Sequence, residues 1–207
     1  MTPHDTTARS VLRFVVLAER LKSVLRHSWL SSGRRESVAE HTWMMALMAI
    51  VTHRHLEHPV DLDRALRMIV VHDLVEAEVG DVPFFDTSDR KREKVAREQA
   101  AIARIRDMLD PATGNEVHDL FQEFEARTSP ESRFVKALDD LEVQAQHNLA
   151  DFSTWEPVEY ALVYTKMQAT CAHDGFLRAL SAAIQDDAEA LMTQGGVDVA
   201  AVRSSTA

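Results

Sequence analysis

The most informative pair in the sequence is His72-Asp73. Two polar residues sit side by side within its most apolar stretch, among Leu66, Met68, Ile69, Val70, Val71, Leu74 and Val75. Burying a neutral polar group without a partner costs roughly 2–7 kcal/mol, so something must compensate both. A metal ion does so directly, because neutral imidazole and carboxylate are ordinary ligands. A His and an Asp that face solvent, or pair within the helix, would also do. His41 follows Ser37-Val38-Ala39-Glu40, which reads as a capping box, and so lies in the first turn of a helix. Asp139 sits at the edge of the apolar stripe Phe134, Leu138, Leu141 and Ala145, where a lone Asp is ordinarily a surface residue. The order His, then His-Asp, then Asp, on three separate helices, is much more specific than any member.

These residues need helices to position them, and most of the chain reads as helix. Segments are expected over about Thr7 to Leu25, from Ser37 to about His55, and from Asp61 or Asp63 to Val79, where Gly80 is a C-terminal stop. Further helices follow over about Ser88 to Leu109, Glu116 to Ala126 with Gly114 as a breaker before it, and Pro130 to Leu149. One or two more lie between Pro157 and Met192. No strand is expected. The fold class is an all-α single domain, a helical bundle built around the helix that carries His72 and Asp73. The small, polar residues 195–207 read as a disordered tail.

Composition excludes several classes. The chain has 207 residues with 33 acidic and 23 basic side chains, a net charge of −10. That balance argues against binding a nucleic-acid polymer, which needs a basic face. No apolar run approaches the roughly 18 residues of a membrane span, and the short stretch Val11 to Ala18 lacks a signal-peptide cleavage site. The chain therefore reads as cytoplasmic. Its one cysteine, Cys171, forbids an internal disulfide and a Cys-rich zinc site. Between Arg20 and Arg35 there are five basic residues and no acidic one, a candidate seat for a small anion.

The motifs Leu21-Lys22-Ser23-Val24-Leu25-Arg26, Arg35-Glu36-Ser37-Val38-Ala39-Glu40-His41, His72-Asp73-Leu74-Val75-Glu76 with Gly80-Asp81-Val82-Pro83, and Phe134 to Asp139 span most of the chain. In these the sequence resembles the HD-domain superfamily of metal-dependent phosphohydrolases, and more narrowly its 5′-deoxynucleotidase branch. The resemblance implies an HD domain over residues 1–194 with its site within 20–146. It implies metal ligands His41, His72, Asp73 and Asp139, catalytic Glu76 and Asp73, and Arg26 orienting the phosphate. It places Asp81, Val82, Pro83 and Phe84 against the nucleoside, Asp81 accepting from a sugar hydroxyl. His72 and Glu76 are four residues apart, so on a continuous helix they share a face. Two departures touch the nucleoside pocket. His27 stands where the bacterial deoxynucleotidases carry Trp, with Trp29 two residues on, and Phe84 replaces a small polar residue.

The resemblance thus implies removal of the 5′-phosphate from deoxyribonucleoside 5′-monophosphates. The partner is a small phosphate substrate, and a homodimer is compatible. Between Leu74 and Leu138 the only histidine is His118, too few for a second metal, so one divalent transition metal is expected; an all-N/O ligand set does not choose among Co, Mn, Fe, Ni and Zn. Two other readings share the fold: hydrolysis of another small phosphate ester or modified nucleotide, and a metal-holding module that senses a nucleotide without turning it over.

Overall fold

The computed structural model describes residues 3–206, with the side chains of Pro3 and Arg90 set aside. Helix α1 (Pro3–Ala18) passes through a 3₁₀ turn (Glu19–Lys22) into β1 (Leu25–Trp29) and β2 (Arg35–Ser37). Then come α2 (Val38–Thr52), α3 (Leu62–Val71), α4 (Glu76–Val79), α5 (Asp89–Met108), α6 (Pro111–Ala126) and α7 (Pro130–Leu149). The chain closes with α8 (Pro157–Leu162), α9 (Lys166–Cys171), α10 (Gly175–Gln194) and α11 (Val199–Thr206).

Helices α2, α3 and α7 meet at the centre, α5 and α6 pair alongside, and α9 and α10 close over α7. The core between them is apolar and dry: Met45 and Ala49 from α2, Met68 and Ile69 from α3, and Phe134, Leu138 and Leu141 from α7 are all essentially solvent-free. Cys171 is buried and unpaired by disulfide.

The start of α2 follows its sequence signal. The amide of Glu40 donates to Ser37 Oγ (3.3 Å) and that of Ser37 to Glu40 Oε2 (2.9 Å). Both satisfy amides that a helix start leaves open, and they fix the turn that carries His41. Replacing Ser37 by Ala is expected to lower unfolding free energy by about 1 kcal/mol; an unchanged denaturant midpoint would remove the cap from this account.

Four expectations are corrected. First, the helix read through His72 to Val79 is broken. The chain leaves α3 after Val71, and Leu74, Glu76, Ala77 and Glu78 donate to carbonyls three residues back instead of four. At three residues per turn, positions three apart eclipse, so it is Asp73 and Glu76, not His72 and Glu76, that share a face. Gly80 ends the segment at φ +74°.

Second, a hairpin exists. β1 and β2 pair antiparallel, Leu25 opposite Ser37 and Trp29 opposite Arg35, around Gly33 at φ +82°. The other edge of β1 is satisfied by α7, where Gln146 donates to the Trp29 carbonyl (2.8 Å) and His147 to that of His27 (3.2 Å). Third, Gly114 lies inside α6, which starts at Pro111 with Asp110 accepting from Ala112 and Thr113. A Cβ at position 114 would stand 2.3 Å from the Arg106 carbonyl oxygen, so Gly is there for the close approach of α5. Fourth, the segment read as a polar tail carries α11, with Arg203 paired to Glu189 and stacked over Tyr164.

Candidate metal and phosphate site

The four residues singled out from sequence spacing converge. His41, His72 and Asp73 each offer a ligand atom within a common 4.8 Å. Asp139 stands at the edge of this group, with Oδ1 3.2 Å from His41 Nε2. Each imidazole is held from behind. His41 Nδ1 donates to Glu142 Oε2 (2.5 Å) and His72 Nδ1 to the Ile69 carbonyl (2.7 Å). That assigns the proton to Nδ1 and leaves Nε2 of each as a bare lone pair pointing at the carboxylates, the arrangement that metal-ligating histidines use.

Whether a metal fits is answered by what is left over. Nε2 of His41, Nε2 of His72 and Oε2 of Glu76 are buried and have no hydrogen-bond partner among the described residues. Two lone pairs face two carboxylates off the line of any hydrogen bond, with no donor between them. Such groups are costly unless a cation or proton stands among them. Against burial and the Arg26 charge, Glu142 and Asp139 draw His41 up to about 10, the mark of acid-rich surroundings that a bound cation would also satisfy. The residues fit a divalent ion with N/O preference.

The surrounding charges are arranged in layers. Burial opposes ionisation of Asp73, but His72, Arg26 and His41 hold it below the usual carboxylate range. Asp139 is likewise held well below it, against burial, by Lys136 and His41; Lys136 Nζ is 2.7 Å from Asp139 Oδ2 and 3.0 Å from Asp140 Oδ1. Glu76 behaves oppositely. Burial, then the charges of Asp73 and Asp81, push its carboxyl well above its ordinary value. Arg26, on β1, sets Nη1 3.4 Å from Asp73 Oδ2 and Nε 3.3 Å from Glu36 Oε2. Behind it the carboxyl of Glu36 is raised to about 7 by burial and by Glu142, with Arg26 pulling the other way.

One cavity of about 570 Å³ opens onto this group, within the range of small-molecule sites. Arg26, Asp73, Glu76 and Asp139 line it, and so do all the residues expected at the nucleoside: His27, Asp81, Val82, Pro83 and Phe84. Phe84 is exposed, with Lys91 and Lys166 Nζ each 5.1 Å from its ring centre. Trp29 packs edge-on against His27 (4.9 Å) and is not among the lining residues, so it does not replace the absent Trp. His118 stays half-buried on α6 against Gln122, away from the cavity.

Several contributors escaped sequence reasoning. Glu142 is 101 positions from the histidine it holds, and Glu36, inside a motif, carried no sign that it faces Arg26. Lys136, His147 and Glu159 also line or brace the cavity. The one available signal was Glu142 three residues after Asp139 on the same apolar helix.

An all-helical core with a His, His-Asp, Asp cluster at the meeting of three helices defines the class. The HD-domain family profile matches residues 18–176, and the chain belongs to that family. Within it, the chain is 38% identical over 141 residues to 5′-deoxynucleotidase HDDC2 of Bos taurus and equally to that of Homo sapiens, covering 67% of this chain and 67% of each relative. A solved structure described as a predicted metal-dependent phosphohydrolase, from Magnetospirillum magnetotacticum MS-1, superposes with a TM-score of 0.79 at 28% identity, covering 95% of this chain and 98% of that one.

Proposed function

We propose that this chain is a metal-dependent phosphohydrolase that releases the 5′-phosphate of deoxyribonucleoside 5′-monophosphates, giving a nucleoside and inorganic phosphate. The observation that carries it is the pair of buried imidazole lone pairs beside Asp73 and Asp139, opening on a cavity that also presents Arg26, Lys136 and Glu76. His41, His72, Asp73 and Asp139 would hold one divalent transition metal. Such an ion supplies Lewis acidity toward a phosphoryl oxygen and acidifies water.

The chain's own residues do the rest. Arg26 grips the phosphoryl oxygens with the guanidinium hydrogens that Asp73 and Glu36 leave free. Its charge is fixed in place before substrate arrives, so no reorganisation is needed as charge builds. Glu76, buried and unpartnered at Oε2, takes the proton of the attacking water. Its raised pKa makes it a stronger base than an ordinary carboxylate and lets it pass the proton on. Asp81, on the turn after Gly80, accepts from a sugar hydroxyl. Similarity to two 5′-deoxynucleotidases supports the substrate class.

The test is phosphate release from ribo- and deoxyribonucleoside 5′-monophosphates, with protein stripped by a chelator and then reloaded with Co²⁺, Mn²⁺ or Zn²⁺. Release is expected only after reloading, at least tenfold faster for the deoxy series. Metal-loaded protein that releases nothing from any of them would refute the reading.

A further inference from the structure

One residue along β1 from Arg26, the cavity meets a second polar cluster that the hydrolysis itself does not use. His147 from α7 and Glu159 from α8 are each more than nine-tenths buried, yet both line the cavity. His147 Nε2 donates to the His27 carbonyl (3.2 Å), which leaves Nδ1 as a bare acceptor. Burial pushes this imidazole down to about 4, so it stays neutral and keeps that assignment at working pH. Glu159 Oε2 accepts from the Glu156 amide (2.6 Å), the return half of a capping box, and is committed. Its other oxygen, Oε1, lies 3.7 Å from His147 Nδ1 and 3.5 Å from His27 Nε2 without a hydrogen bond closing on it. His27 is fixed edge-on between Trp29 and Phe85, ring centres 4.9 and 5.0 Å away.

Two acceptors therefore stand side by side in the cavity wall. They are close enough for one amino nitrogen to lie within hydrogen-bond range of both. Among the described residues no hydrogen bond closes on either atom, His27 Nε2 at 3.5 Å included, so a ligand can supply the donor. We propose that Glu159 Oε1 and His147 Nδ1 read the nucleobase and select bases that carry an exocyclic amino group, adenine, cytosine and guanine, over thymine. Thymine presents a carbonyl oxygen where cytosine carries its amino group, and a carbonyl facing two acceptors is repelled. This rests on the reading of the cavity as a nucleotide site.

Glu159→Gln is a sharp test because the cap orients the new amide. The Glu156 N–H needs an acceptor, so the amide oxygen takes the place of Oε2 and the NH₂ turns toward the cavity. One acceptor of the wall becomes a donor without loss of the cap. Calorimetric titration of metal-loaded protein at pH 8 with deoxyadenosine, deoxycytidine and thymidine is expected to show the amino-bearing nucleosides bound about tenfold tighter, the scale of one or two net hydrogen bonds. In the Gln variant the order should reverse in favour of thymidine. A wild-type preference under twofold, or a ratio unmoved by Glu159→Gln, would overturn the assignment. The nucleosides carry no phosphate, so the two readings separate. Base-selective binding with no phosphate release sinks the hydrolase alone, and release at equal rates from dAMP, dCMP and dTMP, with equal nucleoside affinities, sinks the base reader alone.

Discussion

Glu76→Gln is expected to lower kcat by roughly 10²–10⁴-fold, the worth of a positioned general base, with bound metal unchanged. Gln keeps the shape of the side chain and gives up only its capacity to take a proton. The site gives a second readout. Glu76 is 3% exposed and flanked by Asp73 and Asp81, and the three together push its carboxyl upward. An acid whose pKa is higher folded than unfolded favours the folded state below its unfolded value, near 4.5, and loses that advantage as pH rises through the folded value. The neutral amide escapes this penalty. The variant should therefore gain in melting temperature relative to wild type as pH is raised from 4.5, while turnover is lost. Turnover within threefold of wild type, at equal metal content, would remove Glu76 from the chemistry.

That prediction also shows where sequence reasoning stops. Glu76 could be chosen from its motif, but the geometric argument attached to it, a shared face with His72, assumed an unbroken helix. Apolar periodicity does not report which carbonyl an amide chooses, and a stretch of three-residue turns carries the same hydrophobic pattern as a helix over so few residues. The capping box at Ser37 was legible because its two partners are three residues apart and each follows from local chemistry. That His41, His72, Asp73 and Asp139 belong together was legible from their order and from the motifs around them, not from the surroundings of any one of them. Glu142 and Glu159 were not, since Glu142 meets His41 and Glu159 faces His27 from more than 100 positions away, and each looks, in sequence, like an ordinary helical glutamate. The hairpin was missed for a related reason: part of the support for β1 comes from Gln146 and His147 on α7, not from its partner strand.

Arg26 is where the local and the distant determinants meet, and its replacement by Lys is the other large effect expected. Kcat/KM should fall by roughly 10²–10³-fold, the loss seen when one preorganised donor to a developing charge is removed. Charge is retained, so the loss measures geometry. The guanidinium faces Glu36 through Nε and Asp73 through Nη1, and still has hydrogens left for phosphoryl oxygens. A lysine ammonium at the end of a flexible stem cannot span Glu36 and Asp73 and face the substrate as well. Inhibition by inorganic phosphate should weaken in parallel, because the product uses the same grip. Arg26→Ala separates binding from architecture. It strands Glu36 as an uncompensated buried acid and takes one of the cations from Asp73, and breaking such a buried pair costs about 3–5 kcal/mol, so this variant should unfold at markedly lower denaturant whereas the Lys variant should not. A Lys variant with near wild-type kcat/KM and phosphate inhibition would leave Arg26 with a purely structural task, holding Asp73 and Glu36 in place.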